Sequence, residues 1–257
     1  MNHPIPTIIL ALALALTACQ EKTAEPAATP PNIQPTQPPA TQSASSVVAD
    51  NNCLTRDTCT LVCPDNTKLL SNLEGMACMK GDQPTHMSYR WYPTGERKRM
   101  WLHKGDAIEQ AIGYYQSGQK KDVLTKTKHE EWYENGVRKS LTIGTELDSF
   151  MSKNYTTTEW HENGHKKSVT TYKNGKIHGI ERSFYENGKK SIEAEMNADK
   201  LHGRYTSWYE NGQMNSMANY SNHKLDGAVT VWHPNSQKKS EAQYKEGQQL
   251  SQTCWDD

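Results

Sequence analysis

The sequence predicts an all-β fold, an elongated single-layer antiparallel β-meander built from β-hairpin repeats, preceded by a signal peptide and a disordered linker. Three observations carry this. One phrase is written four times, as Trp160-His-Glu-Asn-Gly-His-Lys-Lys-Ser168, Phe184-Tyr-Glu-Asn-Gly-Lys-Lys-Ser191, Trp208-Tyr-Glu-Asn-Gly-Gln-Met-Asn-Ser216 and Trp232-His-Pro-Asn-Ser-Gln-Lys-Lys-Ser240, and its turn asparagines recur every 24 residues. Self-similarity at such a period marks a repeat architecture. A second turn signal falls midway, as in Tyr172-Lys-Asn-Gly-Lys-Ile-His-Gly179, so the chain reverses about every dozen residues. The chain is also too polar for a large central core, with 34% hydrophobic residues and a mean hydropathy of −0.89. Its aromatics are 12 Tyr and 7 Trp against 2 Phe. Rings with a polar end suit a thin sheet whose faces both lie near water.

Taken in order, residues 1–18 read as a lipoprotein signal peptide. The apolar run that ends at Leu16 is about a dozen residues, too short to span a bilayer and of the length of a signal h-region. It closes on Leu16-Thr17-Ala18-Cys19, which resembles a bacterial lipobox. The Cys19 thiol is then the lipid-attachment nucleophile, and acyl chains anchor the protein by about 0.8 kcal/mol per buried methylene. Gln20 rather than Asp after the cysteine points to the outer membrane. The n-region departs from the pattern, since residues 1–4 carry no Lys or Arg.

Residues 19–50 shift to Pro, Thr, Ser, Ala and Gln, with too little apolar surface to offset ordering entropy. They read as a tether. Residues 51–85 form a cysteine-containing cap with Cys53, Cys59, Cys63 and Cys78, while Cys254 stands near the C-terminus. In an oxidising envelope, disulfides are the default use of these thiols. Their spacing lacks the Cys-x2-Cys knuckle of a zinc site. With Cys19 lipidated, five thiols remain, so one is free or pairs outside the chain.

Residues 86–257 form the array. The phrase runs backwards with drift through Trp132-Tyr-Glu-Asn-Gly136, Tyr114-Tyr-Gln-Ser-Gly118 and Trp91-Tyr-Pro-Thr-Gly95, giving about seven repeats. Intervals of 18 and 28 residues flank Tyr133, so a deletion and an insertion lie side by side near residues 144–153. Asn-Gly is the strongest short hairpin signal, because both turn positions of a two-residue loop need positive φ. Pairing about Asn187-Gly188 then sets Phe184 against Ser191, Ser183 against Ile192 and Arg182 against Glu193. Trp132, Trp160, Phe184, Trp208 and Trp232 fall on one side as a ladder. Tyr133, Tyr185 and Tyr209 fall on the other, with His161 and His233 at equivalent places.

This phrase resembles the variant form of the MORN repeat, over residues 87–255. Bacterial proteins of this pattern are often labelled YwqK-type antitoxin components of toxin–antitoxin systems, although export through a lipobox separates this chain from a cytosolic toxin. The resemblance extends to the lead-in, and implies that Cys63 bridges Cys78. Bridged in this way, the lead-in would cap the open edge of the first repeat. Pairing of Cys53 with Cys59, or of either with Cys254, stays open. The sequence departs from the repeat where Asp199, His223 and Ser236 replace turn glycines, which loosens single turns.

Catalytic chemistry is not expected. There is no Gly-x-Ser-x-Gly, phosphate loop, paired-carboxylate motif or His-Glu-x-x-His, and no nucleophile stands beside an evident base. His178 and His202 each precede Gly at the repeat period and read as structural polar residues rather than metal ligands. The Lys pairs face Glu134, Glu162, Glu186 and Glu210 and read as a solvated charge ladder. With 29 basic and 29 acidic residues, no global field favours nucleic acid. The expectation is a non-catalytic lipoprotein scaffold for an envelope protein partner, without metal or cofactor. The alternatives are a glycan- or peptidoglycan-binding module that stacks sugars on its Trp and Tyr ladders, or an antitoxin-like binding protein.

Overall fold

The structure, a computed structural model, describes residues 55–59, 61, 63, 68–72, 74–104, 107–144 and 153–255. The signal peptide, the tether, Cys19 and Cys53 lie outside the described residues. What is described is nearly all antiparallel β, and the only helical turn among these residues is a short 3-10 segment, Arg56–Thr58. The strands are β1 (Lys68–Ser71), β2 (Gly75–Lys80), β3 (Gln83–Trp91), β4 (Arg97–Lys104), β5 (Ala107–Tyr114), β6 (Lys120–Thr125), β7 (Lys128–Trp132), β8 (Arg138–Gly144) and β9 (Tyr155–Trp160). They continue as β10 (Lys166–Lys173), β11 (Lys176–Ile177), β12 (Gly179–Phe184), β13 (Lys190–Asn197), β14 (Lys200–Trp208), β15 (Met214–Ser221), β16 (Lys224–Trp232), β17 (Lys238–Lys245) and β18 (Gln248–Cys254). Each pairs with its sequence neighbour, and β10 pairs with β12 across the two-residue β11, so the sheet is an open meander. It begins at Lys68, ahead of the array expected from residue 86.

Two kinds of turn alternate, and they differ from the expected pattern. The second turns have the two-residue geometry in which both loop residues take positive φ: Asn174-Gly175 at 55° and 75°, Ala198-Asp199 at 49° and 69°, Asn222-His223 at 49° and 70°, Glu246-Gly247 at 50° and 87°. The phrase turns do not. Phe184 pairs with Lys190 rather than Ser191, and the Tyr185 N–H donates to the Lys189 carbonyl at 2.9 Å. Only Gly188, at φ 81°, takes the left-handed conformation. This is a three-residue loop closed by a bulge at the glycine. The shift ends there, so Ser183 and Arg182 keep their expected partners, Ile192 and Glu193. Because this phrase is one residue shorter between Asn187 and its serine, Ser191 does not occupy the place of Ser168 and Ser216. The row Ser168, Ser183, Ile192, Ser207, Ser216 gives that place to Ile192.

The x-His-Gly signal encodes a bulge as well. Ala194 pairs with Tyr205 but Met196 with Leu201, so His202, Gly203 and Arg204 face the single Glu195. Gly203 has φ +109°, and a Cβ there would stand 3.1 Å from the Glu195 Cβ. Gly203→Ala is therefore expected to lower stability by about 1–2 kcal/mol, read as a fall in urea midpoint with an unchanged slope. The irregular intervals resolve similarly. Leu124 pairs with His129, whereas the equivalent Ala218 pairs with Val229, which leaves the β6–β7 hairpin six residues short. Thr142 pairs with Thr157, four residues further than the standard hairpin, and residues 145–152 lie outside the described set.

Burial changes sides along the sheet. One continuous cross-strand row reads Tyr89, Met100, Ile112, Val123, then Glu130, Leu141, Thr158, Val169, Arg182, Glu193, Thr206, Met217, Thr230, Glu241. This is the face that carries the Trp ladder. Its first stretch is apolar and is covered: Leu61, Cys78, Met87, Tyr89, Trp91, Met100, Ile112, Tyr114 and Val123 form one core cluster, with Cys59 and Cys63 packed on it. The lead-in thus does two things: Cys59, Leu61 and Cys63 lie on this face of the sheet, while β2 pairs with β3 and covers the open edge of the first repeat, as expected. The edge strand is β1, exposed along its length. The bridge Cys63–Cys78 forms as the resemblance implied, with Cα atoms 5.3 Å apart, and fastens this cover to β2. Cys59 and Cys254 are also disulfide-bonded, and no cysteine among the described residues is free. Beyond β12 the opposite face is the buried one, where Tyr205, Ala218, Val229 and Ala242 stand side by side.

Candidate binding surface

The tyrosines proposed from sequence as contact residues, Tyr133, Tyr185 and Tyr209, are committed to the neighbouring repeat, and so are Tyr92 and Tyr115. The Tyr92 hydroxyl donates to the Tyr114 carbonyl (2.9 Å), Tyr115 to Trp132 (2.8 Å) and Tyr133 to Trp160 (2.9 Å). Tyr185 then donates to Trp208 (2.7 Å) and Tyr209 to Trp232 (2.7 Å). His161 takes the same part with Nε2 3.1 Å from the Phe184 carbonyl. Each ring bridges one repeat to the first aromatic of the next. Burial, and then nearby carboxylates such as Glu162, pushes the Tyr133 hydroxyl above its ordinary pKa; burial followed by Glu210 does so at Tyr185. The proton that makes the bond is retained well past neutral pH.

The turn asparagines form a second set of straps. Asn163, Asn187 and Asn211 each accept from the backbone N–H two residues on, which shapes the turn. Each also donates from Nδ2 to the following repeat, to the Glu186 (2.7 Å), Glu210 (2.9 Å) and Pro234 (3.0 Å) carbonyls. At the opposite ends of the strands, the second turns reach back instead: Asp199 N–H to Ile177, His223 N–H to Leu201 and Gly247 N–H to Leu225. The non-glycine residues there are more than loosened turns. Asp199 Oδ1 accepts from the Ile177 N–H at 2.7 Å and His223 Nδ1 from the Leu201 N–H at 3.3 Å.

The Trp ladder is present on one face, half-buried, and cations lie over it. Arg138 stands 5.5 Å from the Trp160 ring centre, and Lys190 stands 5.2 Å from that of Trp208. Those cations meet strand carboxylates rather than the turn glutamates expected from sequence, Arg138 with Glu130 (3.0 Å) and Lys190 with Glu193 (3.1 Å). Sugar stacking needs an uncovered ring row. At Trp160 and Trp208 the ring faces already have partners. His178 and His202 sit in bulges, and among the described residues no group of metal-ligating side chains could hold an ion.

One feature was not legible in the sequence. On the face opposite the covered core, the first five strands hold a groove of about 390 Å³ lined by Leu70, Ala77, Ser88, Arg90, Trp101, His103 and Ile108 among others. At its floor Ser88 Oγ lies 2.9 Å from His103 Nε2. Burial depresses the His103 pKa, so this imidazole is neutral at neutral pH. A hydroxyl thus stands beside a base, which the sequence reading did not find. Among the described residues no carboxylate hydrogen-bonds His103. Only cross-strand pairing brings residues 88, 101, 103 and 108 together; no spacing rule predicts it.

Comparison with known families finds one match. Residues 156–174, 177–198, 201–222 and 225–246 match the model described as MORN repeat variant. These four consecutive units coincide with the most regular part of the array; each spans one phrase turn with its flanking strands, and the second turns fall at the unit boundaries. A search of curated proteins returns no match.

Proposed function

We propose that this chain is a lipid-anchored bacterial envelope protein, sorted to the outer membrane, whose repeat array is a non-catalytic scaffold for a protein partner. The supporting observation is the stapling at both ends of the strands. Tyrosine hydroxyls and turn asparagines are spent on the neighbouring repeat, which yields a braced frame and leaves little free polar machinery for turnover. The lipobox around Cys19 and the Pro-rich tether supply the reason such a frame would be held off a membrane. A photocrosslinker placed in turn at the exposed Glu162, Glu186 and Glu210 is expected to trap a discrete envelope protein in cells. Globomycin is expected to accumulate the uncleaved precursor. Absence of a discrete adduct from every turn position contradicts the scaffold, and unchanged size under globomycin contradicts the anchor.

A further inference from the structure

We propose that the groove on the first five strands binds a small amphipathic monocarboxylate with an aryl or acyl body. This does not rest on the scaffold reading. The groove has the size and the apolar lining of a small-molecule site, with few polar groups. Its walls are Leu70 and Ile108, which remain 54% and 48% exposed, so apolar surface stays wet until something covers it. The floor between them is Trp101, which offers a ring to an apolar body.

Arg90 gives the ligand its charge. Its stem lies across Gly75, where a Cβ would stand 3.6 Å from the Arg90 Cγ, and its guanidinium lies 5.6 Å from the Trp101 ring centre. A planar cation beside a ring suits a carboxylate at the end of a flat or chain-like body. The other cation near this ring, Arg99, is already held by Asp122 at 2.7 Å across Gly113, which has no side chain to obstruct the contact. Among the described residues no carboxylate contacts Arg90 in this way. Glu74 lines the same end of the groove and opposes a second negative charge. That favours a monocarboxylate over a dicarboxylate or a phosphate. Ser88, paired with His103, places a hydroxyl at the floor for one further hydrogen bond.

The test is calorimetric titration of the purified full chain with 3-phenylpropionate, its neutral amide, and glutarate. Saturable one-site binding of 3-phenylpropionate is expected, with the amide and glutarate each roughly tenfold weaker or more, the loss of about one charge-assisted hydrogen bond. Arg90→Gln is expected to weaken 3-phenylpropionate by a similar factor, and Ile108→Asp to abolish binding. Lys98→Gln, a charge change outside the groove, should leave it unchanged, and thermal melts of all three variants establish that they fold. Equal affinity for acid and amide, binding indifferent to Arg90→Gln and Ile108→Asp, or no saturable binding overturns the proposal.

Discussion

Replacing Cys63 and Cys78 together by serine is expected to cost about 3 kcal/mol, the chain-entropy value for a 15-residue loop, with a further contribution from placing a hydroxyl at a fully buried position. The larger consequence is where the loss falls. Met87, Tyr89, Trp91, Met100 and Ile112 are covered by the segment that Cys63 fastens, so releasing it wets the apolar part of that face. From Glu130 onward the same row is mostly polar or charged and needs no cover. Repeat proteins unfold as neighbour-coupled units. Urea unfolding of the variant should therefore separate into two steps, an early one reported by Trp91 and a later one near the wild-type midpoint for the strands after β9. Mild reduction of the wild-type protein, which also opens the bridges of Cys59 and Cys254, should show an early step at least as large. A single transition shifted as a whole would mean that the cover stabilises the entire sheet.

The second large effect is expected from removing hydroxyls that form no part of any core. Tyr133→Phe, Tyr185→Phe and Tyr209→Phe keep their rings but lose the donors to the Trp160, Trp208 and Trp232 carbonyls. Each loss is worth roughly 1 kcal/mol, and the sites are at least one repeat apart, so the triple variant should fall by about 3 kcal/mol in chemical denaturation. A drop much smaller than one such bond would return these tyrosines to the surface-contact role that the sequence suggests.

The fold was legible because its signals are local and repeated. Asn-Gly every 24 residues and a second turn between them specify hairpins, and the pairs Ser183–Ile192 and Arg182–Glu193 follow from counting out from the turn. The error at Phe184 has a physical cause. Asn-Gly ordinarily makes a two-residue loop, but here Asn187 shapes the turn with its side chain and only Gly188 needs positive φ, so one residue slips. The 18- and 28-residue intervals were legible as a deletion and an insertion for the same reason.

The candidate surface was less legible, since its meaning depends on atoms 20 or more residues apart. Whether Tyr185 faces a ligand or the Trp208 carbonyl turns on the strand spacing between repeats, which no local pattern encodes. Which face is buried was equally hidden. The phrase is similar throughout the array, yet the covered face changes sides because the lead-in lies over Tyr89 and Met100. The groove follows from that placement, on the face left bare.

The central claim is that the periodic polar residues brace one repeat against the next. Amide hydrogen exchange of Tyr185→Phe against wild type tests it most directly. The account predicts faster exchange at the turn amides of Tyr185 and Tyr209 on either side of the lost bond, with strands β2 to β6 unchanged. Identical exchange at those amides, with the hydroxyl gone, would contradict it.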